Sequence, residues 1–136
     1  MKPVRSEKGR VLLVDDDAIV RVTLAEQLAD EGYAILTAAN GAEALLLLDA
    51  GEAVDLMITD YSMPGIDGLA LIKEAQQRRP ALAAILLTGF VTNATKIAIT
   101  GATSGRFSLL QKPATATALV ERVTALLERA AGAPSF

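Results

Sequence analysis

Cysteine and histidine are both absent from this chain. Without cysteine there is no disulfide framework and no thiolate metal site. Without histidine there is no Ser-His-Asp or Cys-His mechanism and no imidazole-ligated zinc. Any metal must be held by oxygen, which selects a hard cation such as Mg²⁺. Basic runs are missing as well. The 13 Lys and Arg against 16 Asp and Glu leave a formal charge of -3 and a pI near 4.9, so no nucleic-acid partner is expected. The longest apolar stretch, Ala81 to Leu87, falls far short of the ~20 residues of a membrane helix. The leader MKPVRSEKGR is charged, and Asp15 cuts off the apolar run behind it, so it does not read as a signal peptide. The expected compartment is the cytoplasm, with no membrane association.

What is present suits one domain with a packed core: 136 residues, 51% of them hydrophobic. Five short apolar runs, Val11–Val14, Ala34–Ala38, Leu56–Thr59, Ala83–Leu87 and Phe107–Leu110, are near-continuous rather than alternating. That is the pattern of strands buried on both faces of a parallel sheet. The segments between them read as helices. Asp17 is placed to cap the first, with Val20, Leu24 and Leu28 inward and Gly32 as its stop; Asn40 is placed to cap the second, with Leu45 and Leu48 inward and Gly51 as its end. Within the leucine run 45–48, the pattern predicts one or two exposed members. The third helix is predicted from about Asp67 to about Arg79, just before Pro80. In the last, Leu119, Val120, Val123, Leu126, Leu127 and Ala130 share one helical face, with Thr115 or Thr117 as cap. Residues 92–105, rich in Thr and Gly, predict only a short or irregular helix.

Five β/α units imply an open, doubly wound α/β sandwich. In such sheets ligands sit beyond the carboxyl ends of the strands. That rule gathers a set of polar residues at one edge: Asp15 and Asp16 after the first strand, Asp60 after the third, Thr88 after the fourth and Lys112 after the fifth. Three carboxylates close together repel. A divalent cation and the lysine would offset that repulsion, and an anionic group arriving there would meet metal, ammonium and hydroxyl together. Phosphoryl groups are held and transferred by such sets.

The acidic pair Asp15-Asp16, Asp60 inside DYSMPGIDG, Thr88 before Gly89 and Lys112 before Pro113 give the chain its family likeness. It resembles a receiver domain of two-component response regulators, over roughly residues 10–130, with 1–9 as a leader and 131–136 as a tail. The resemblance implies a flavodoxin-like five-stranded parallel sheet of order 2-1-3-4-5 flanked by five helices; periodicity alone does not supply that order. It also implies roles. Asp60 is the phosphoacceptor, taking a phosphoryl group from a histidine kinase or histidine phosphotransfer protein and switching the binding of an output partner. Asp16, Asp60 and the backbone carbonyl of Ser62 ligate Mg²⁺, with Asp15 acting through a metal-bound water. Lys112 pairs with the phosphoryl oxygen and Thr88 hydrogen-bonds another. Pro64 and Gly65 shape the loop after Asp60, and the Lys112–Pro113 bond is cis. On this reading the chain is not an enzyme beyond its own phosphorylation and dephosphorylation. It is expected to be either a stand-alone regulator or a receiver from a larger protein, its first methionine and leader favouring the former or an N-terminal receiver.

One position departs from the family pattern. Three residues before the lysine, where the family usually carries Tyr or Phe, stands Leu109; Phe107 lies two residues earlier and on the same strand face. The expectation is that any switch acts through residues 89–105 rather than through Leu109. Two other functions compete. A phosphatase like the haloacid dehalogenases would use Asp15 as nucleophile with Asp17, Thr88 and Lys112. It leaves Asp60 idle, wants Thr or Val where Ile19 stands, and lacks an acidic pair at a strand end after the lysine. A pseudo-receiver would bind partners without phosphorylation, against the intact acidic set. Asp17 and Asp67 are read as helix caps rather than ligands.

Overall fold

The computed structural model describes residues 9–89, 107–112 and 115–131. Five strands, β1 (Arg10–Val14), β2 (Ala34–Ala38), β3 (Leu56–Asp60), β4 (Ala83–Thr88) and β5 (Phe107–Gln111), form one parallel sheet in the order β2-β1-β3-β4-β5. Four helices are described: α1 (Ala18–Asp30), α2 (Gly41–Asp49), α3 (Gly68–Arg78) and α4 (Ala116–Ala131). The expected helix over 92–105, most of the leader, the tail residues 132–136, Pro113 and the side chain of Ala130 fall outside the described residues. Four strands run one residue further than their apolar stretches suggest, taking in Arg10, Asp60, Thr88 and Gln111, while β2 matches its stretch. No described helix is long and apolar enough to cross a membrane.

Successive side chains on a strand point to opposite faces, so the sheet carries two cores. Val11, Leu13, Ile58 and Ile85 pack with Leu28 of α1 and with Leu119, Val123, Leu126 and Leu127 of α4. Leu12, Val14, Met57 and Leu86 pack on the other face with Leu48 of α2 and Leu71 and Ile72 of α3. Central strands β1, β3 and β4 are buried on both faces, whereas edge strands β2 and β5 are largely half-buried. That difference comes from the parallel order: an edge strand has a neighbour on one side only.

The caps form as expected. The Asp17 carboxylate accepts from the Ile19 and Val20 amides, Asn40 from Glu43, Asp67 from Ala70 and the Thr115 hydroxyl from Ala118. Gly32 and Gly51 stand just past α1 and α2 at φ +102° and +89°, the left-handed region that favours glycine. Leu46 is the exposed member of the leucine run. One inward assignment is corrected. Val20 is 37% exposed and its neighbour Ile19 78%. The first turn of α1 begins beyond Val14, the last β1 residue in register with its neighbours, so no sheet lies beneath it; α1 settles onto the core only from Leu24 onward.

At the start of α3 the helix lies directly against β3. A Cβ on Gly68 would stand 2.3 Å from the Asp60 carbonyl oxygen and 2.8 Å from Leu86 Cδ1. Gly68→Ala therefore sets a helix-propensity gain of up to about 1 kcal/mol against a clash with backbone that cannot turn aside, of about 1–3 kcal/mol or more. The clash should win: chemical denaturation should report net destabilisation of about 1–2 kcal/mol. An unchanged or higher midpoint would show that the contact is loose.

Candidate functional site

Parallel register delivers the polar residues to one edge. Asp15 follows β1, Asp60 closes β3, Thr88 closes β4, and Lys112 follows Gln111, which is paired with Thr88. The Lys112 amide donates to the Thr88 carbonyl at 2.7 Å, tying the two strand ends together. Carboxylate oxygens of Asp15, Asp16 and Asp60 all lie within 4.8 Å of one another. Unit charges at such a spacing repel by about 3–4 kcal/mol at an effective dielectric of 20. Lys112 opposes this directly, with Nζ 2.5 Å from Asp60 Oδ1. Asp15, Asp60 and Thr88 are buried, whereas Asp16 is exposed.

Backbone contacts hold Asp60 from behind. The Tyr61 amide donates to the Leu87 carbonyl at 2.8 Å, and the Gly68 amide donates to the Tyr61 carbonyl at 2.8 Å. The loop from Tyr61 to Asp67 is thereby closed at both ends; Ser62, Pro64 and Gly65 sit exposed within it.

Asp15 carries the strain of the cluster. Its Oδ1 accepts from the Asp17 amide at 2.9 Å, but its Oδ2 is buried with no hydrogen-bond partner. Burial raises its pKa above the ordinary value; the Asp17 amide opposes the rise, the Asp60 charge adds to it, Lys112 opposes it, and Asp16 adds to it. An orphaned buried oxygen amid three converging carboxylates, with no nitrogen or sulfur donor in the chain from His or Cys, fits a hard divalent cation. Mg²⁺ suits such a site because it takes only a few protein oxygens and keeps several waters.

The expected residues Asp15, Asp16, Asp60, Thr88 and Lys112 thus share one edge, with Ser62 in the adjoining loop. Asp17 does not join them: its carboxylate faces the α1 amides. That leaves the phosphatase reading without its second acid, and Lys112 is paired with Asp60 rather than Asp15. On β5, Phe107 and Leu109 are half-buried against the same core, as their shared face requires. Sequence reading missed two arginines. Arg21 Nη1 donates to the Asp15 carbonyl at 2.7 Å. Arg122 Nη1 donates to Ser108 Oγ and to the Leu109 carbonyl, the latter at 3.2 Å. Both reach backbone through long side chains, and no spacing rule signals where such a side chain ends.

The family model for the response regulator receiver domain matches residues 11–124. The DNA-binding transcriptional regulator NtrC of Escherichia coli K12 is 38% identical over 124 residues, 91% of this chain and 25% of that protein. Sensor kinase CckA of Brucella abortus is 32% identical over 125 residues, 91% of this chain and 13% of that protein. The chain thus spans about a quarter of the length of NtrC and less of CckA. Among solved structures, the signal receiver domain of an HD domain-containing protein from Pseudomonas fluorescens Pf-5 superposes with a TM-score of 0.83 at 27% identity, covering 92% of this chain and 98% of that one.

The state of Asp15 sets a pH-dependent stability. A carboxyl whose folded pKa is raised favours the neutral form, so its contribution is fully present below its ordinary 3.8 and is lost as pH rises through the folded value. At neutral pH, with divalent cations chelated, ionised Asp15 is a net liability. Asp15→Asn keeps an acceptor for the Asp17 amide and places a donor where Oδ2 is unpartnered. Thermal melts in chelator at pH 7 should show a rise of about 3–8 °C, the shift that about 1–2 kcal/mol gives a domain of this size. The gain should shrink toward zero by about pH 4. A fall in the melting point at pH 7 would contradict the account.

Proposed function

The chain belongs to the response regulator receiver family of two-component signalling, and on that premise we propose that Asp60 is its phosphoacceptor. The observation that carries the proposal is the Asp60 carboxylate itself: buried at the end of β3, 2.5 Å from the Lys112 ammonium and clustered with Asp15 and Asp16. Residues 10–130 form the receiver unit on this reading. The donor is a histidine kinase or histidine phosphotransfer protein, and the output partner binds differently once Asp60 is modified.

In the transfer, an Asp60 Oδ attacks the phosphorus of a phosphohistidine. The new O–P bond forms as the P–N bond breaks, and the electron pair leaves with the imidazole nitrogen, giving an aspartyl phosphate and free histidine. The backbone bonds of Tyr61 and Gly68 fix the main chain that carries the carboxylate before the donor arrives, which lowers the orientational cost of the reaction. Lys112 loses its contact with a carboxylate oxygen and pairs with a phosphoryl oxygen. The Thr88 hydroxyl, on the neighbouring strand end, donates to another. Asp15, Asp16, Asp60 and the Ser62 carbonyl would hold Mg²⁺, which supplies positive charge to the transferring phosphoryl group when bound. The protein is itself the substrate of this chemistry, a signalling domain rather than an enzyme acting on others.

With acetyl phosphate and Mg²⁺, intact-mass measurement should show one added phosphoryl group, stable in acid and labile in base. Asp60→Asn should lack it, and full labelling of that variant would overturn the assignment.

The switch is open to a separate test. Leu109 has no polar tip to draw it toward solvent, packs half-buried beside the second core, and has its carbonyl tied to Arg122. Amide and methyl NMR with and without beryllofluoride should show large shifts across residues 89–105 and little rotamer change at Leu109. A swing of Leu109 or Phe107 with a still loop would reverse the proposal.

A further inference from the structure

Asp16 is the exposed carboxylate of the cluster, and among the described residues its side chain has no hydrogen bond or ion pair. With no partner to hold it, its reach is bounded by its own rotamers and by the backbone on which it stands. Asp15 lies past Val14, the last β1 residue in register with the neighbouring strands. Three bonds fix the turn between β1 and α1. The Asp15 amide donates to the Ala38 carbonyl at 3.2 Å. The Asp17 amide donates to Asp15 Oδ1 at 2.9 Å. Between them, the Asp15 carbonyl accepts from Arg21 Nη1 at 2.7 Å. That carbonyl belongs to the peptide group joining Asp15 to Asp16. A rotation at ψ of Asp15 would turn that carbonyl and carry the Asp16 Cα and side chain with it, away from Asp15 and Asp60.

Arg21 is well placed to prevent the rotation. It stands in the first turns of α1, where its own amide donates to the Asp17 carbonyl at 2.9 Å, and its half-buried side chain reaches back over the turn. A guanidinium donor makes a stronger bond to a carbonyl than a neutral group does. No hydrogen bond or ion pair joins it to a carboxylate of the cluster among the described residues, so it acts on the backbone.

We infer that Arg21 is a positioning residue: by holding the Asp15 carbonyl it aims the Asp16 carboxylate at the cation site. The inference rests on the reading that Asp15, Asp16 and Asp60 hold a divalent metal. It adds to that reading a residue on α1 that touches neither metal nor phosphoryl group.

The test uses the whole chain and Mn²⁺ alone, titrated with the free-ion signal followed by electron paramagnetic resonance. Arg21→Met keeps the aliphatic stem and its packing but removes the donor. It should weaken Mn²⁺ binding by about tenfold, the lower end of what losing a ligand-orienting bond causes. Arg21→Lys, which retains a donor, should keep most of the parent's affinity. Melting points in chelator should be alike for both variants. In an Asp16→Asn background, Arg21→Met should weaken binding no further. Equal Mn²⁺ affinity in the parent and Arg21→Met would overturn the role of Arg21 while leaving the metal site standing. So would an undiminished loss in the Asp16→Asn background. A parent that binds no Mn²⁺ would overturn both the metal site and the inference.

Discussion

The contact between Lys112 and Asp60, 2.5 Å long, is the interaction on which the arrangement depends. It joins the end of β3 to the residue after β5, across β4, and sets a positive charge against three carboxylates. Without such a charge the edge of the sheet would hold Asp15, Asp16 and Asp60 in mutual repulsion with little to offset it. The lysine is only partly buried and its side chain is long, so its ammonium can change partners without leaving the edge.

The charge balance at this edge is incomplete. One lysine meets three carboxylates, and the unpartnered Asp15 Oδ2 marks what remains unmatched. A cation held there would meet both the charge and the orphaned oxygen, and would stabilise the fold by mass action. Stability and readiness to bind thus oppose one another at this edge. The sheet tolerates the conflict because its two apolar cores lie on either side of it, away from the edge.

Rigidity around Asp60 comes mostly from backbone. Tyr61, Gly68 and Lys112 all engage through main-chain amides or carbonyls, and Gly68 has no side chain to keep α3 off β3. These contacts let the side chains of Asp60 and Lys112 vary in partner while the frame beneath them stays constant. The exposed apolar residues Ile19 and Val22 on α1 lie on the same helix as Arg21, so the element that steadies the β1–α1 turn also presents apolar surface to solvent.

Much of this was legible in the chain before any fold was known. Near-continuous apolar runs marked the strands, because a strand covered on both faces has no place for polar side chains. Asp17, Asn40, Asp67 and Thr115 marked the helix starts, because caps are satisfied by residues three or fewer positions away. The site residues were readable because each sits at the end of an apolar run, and parallel strands bring those ends together. Other features depended on contacts between segments remote in sequence. Strand order came from family likeness rather than periodicity, since pairing partners leave no local mark. Val20 carried the right spacing for burial yet lies over no sheet, since helical period says nothing of where the underlying layer stops. The orphaned oxygen of Asp15, the 2.5 Å approach of Lys112 and the reach of Arg21 to a carbonyl were decided by tertiary structure alone, because a long flexible side chain finds its partner by distance in space, which residue spacing along a chain does not encode.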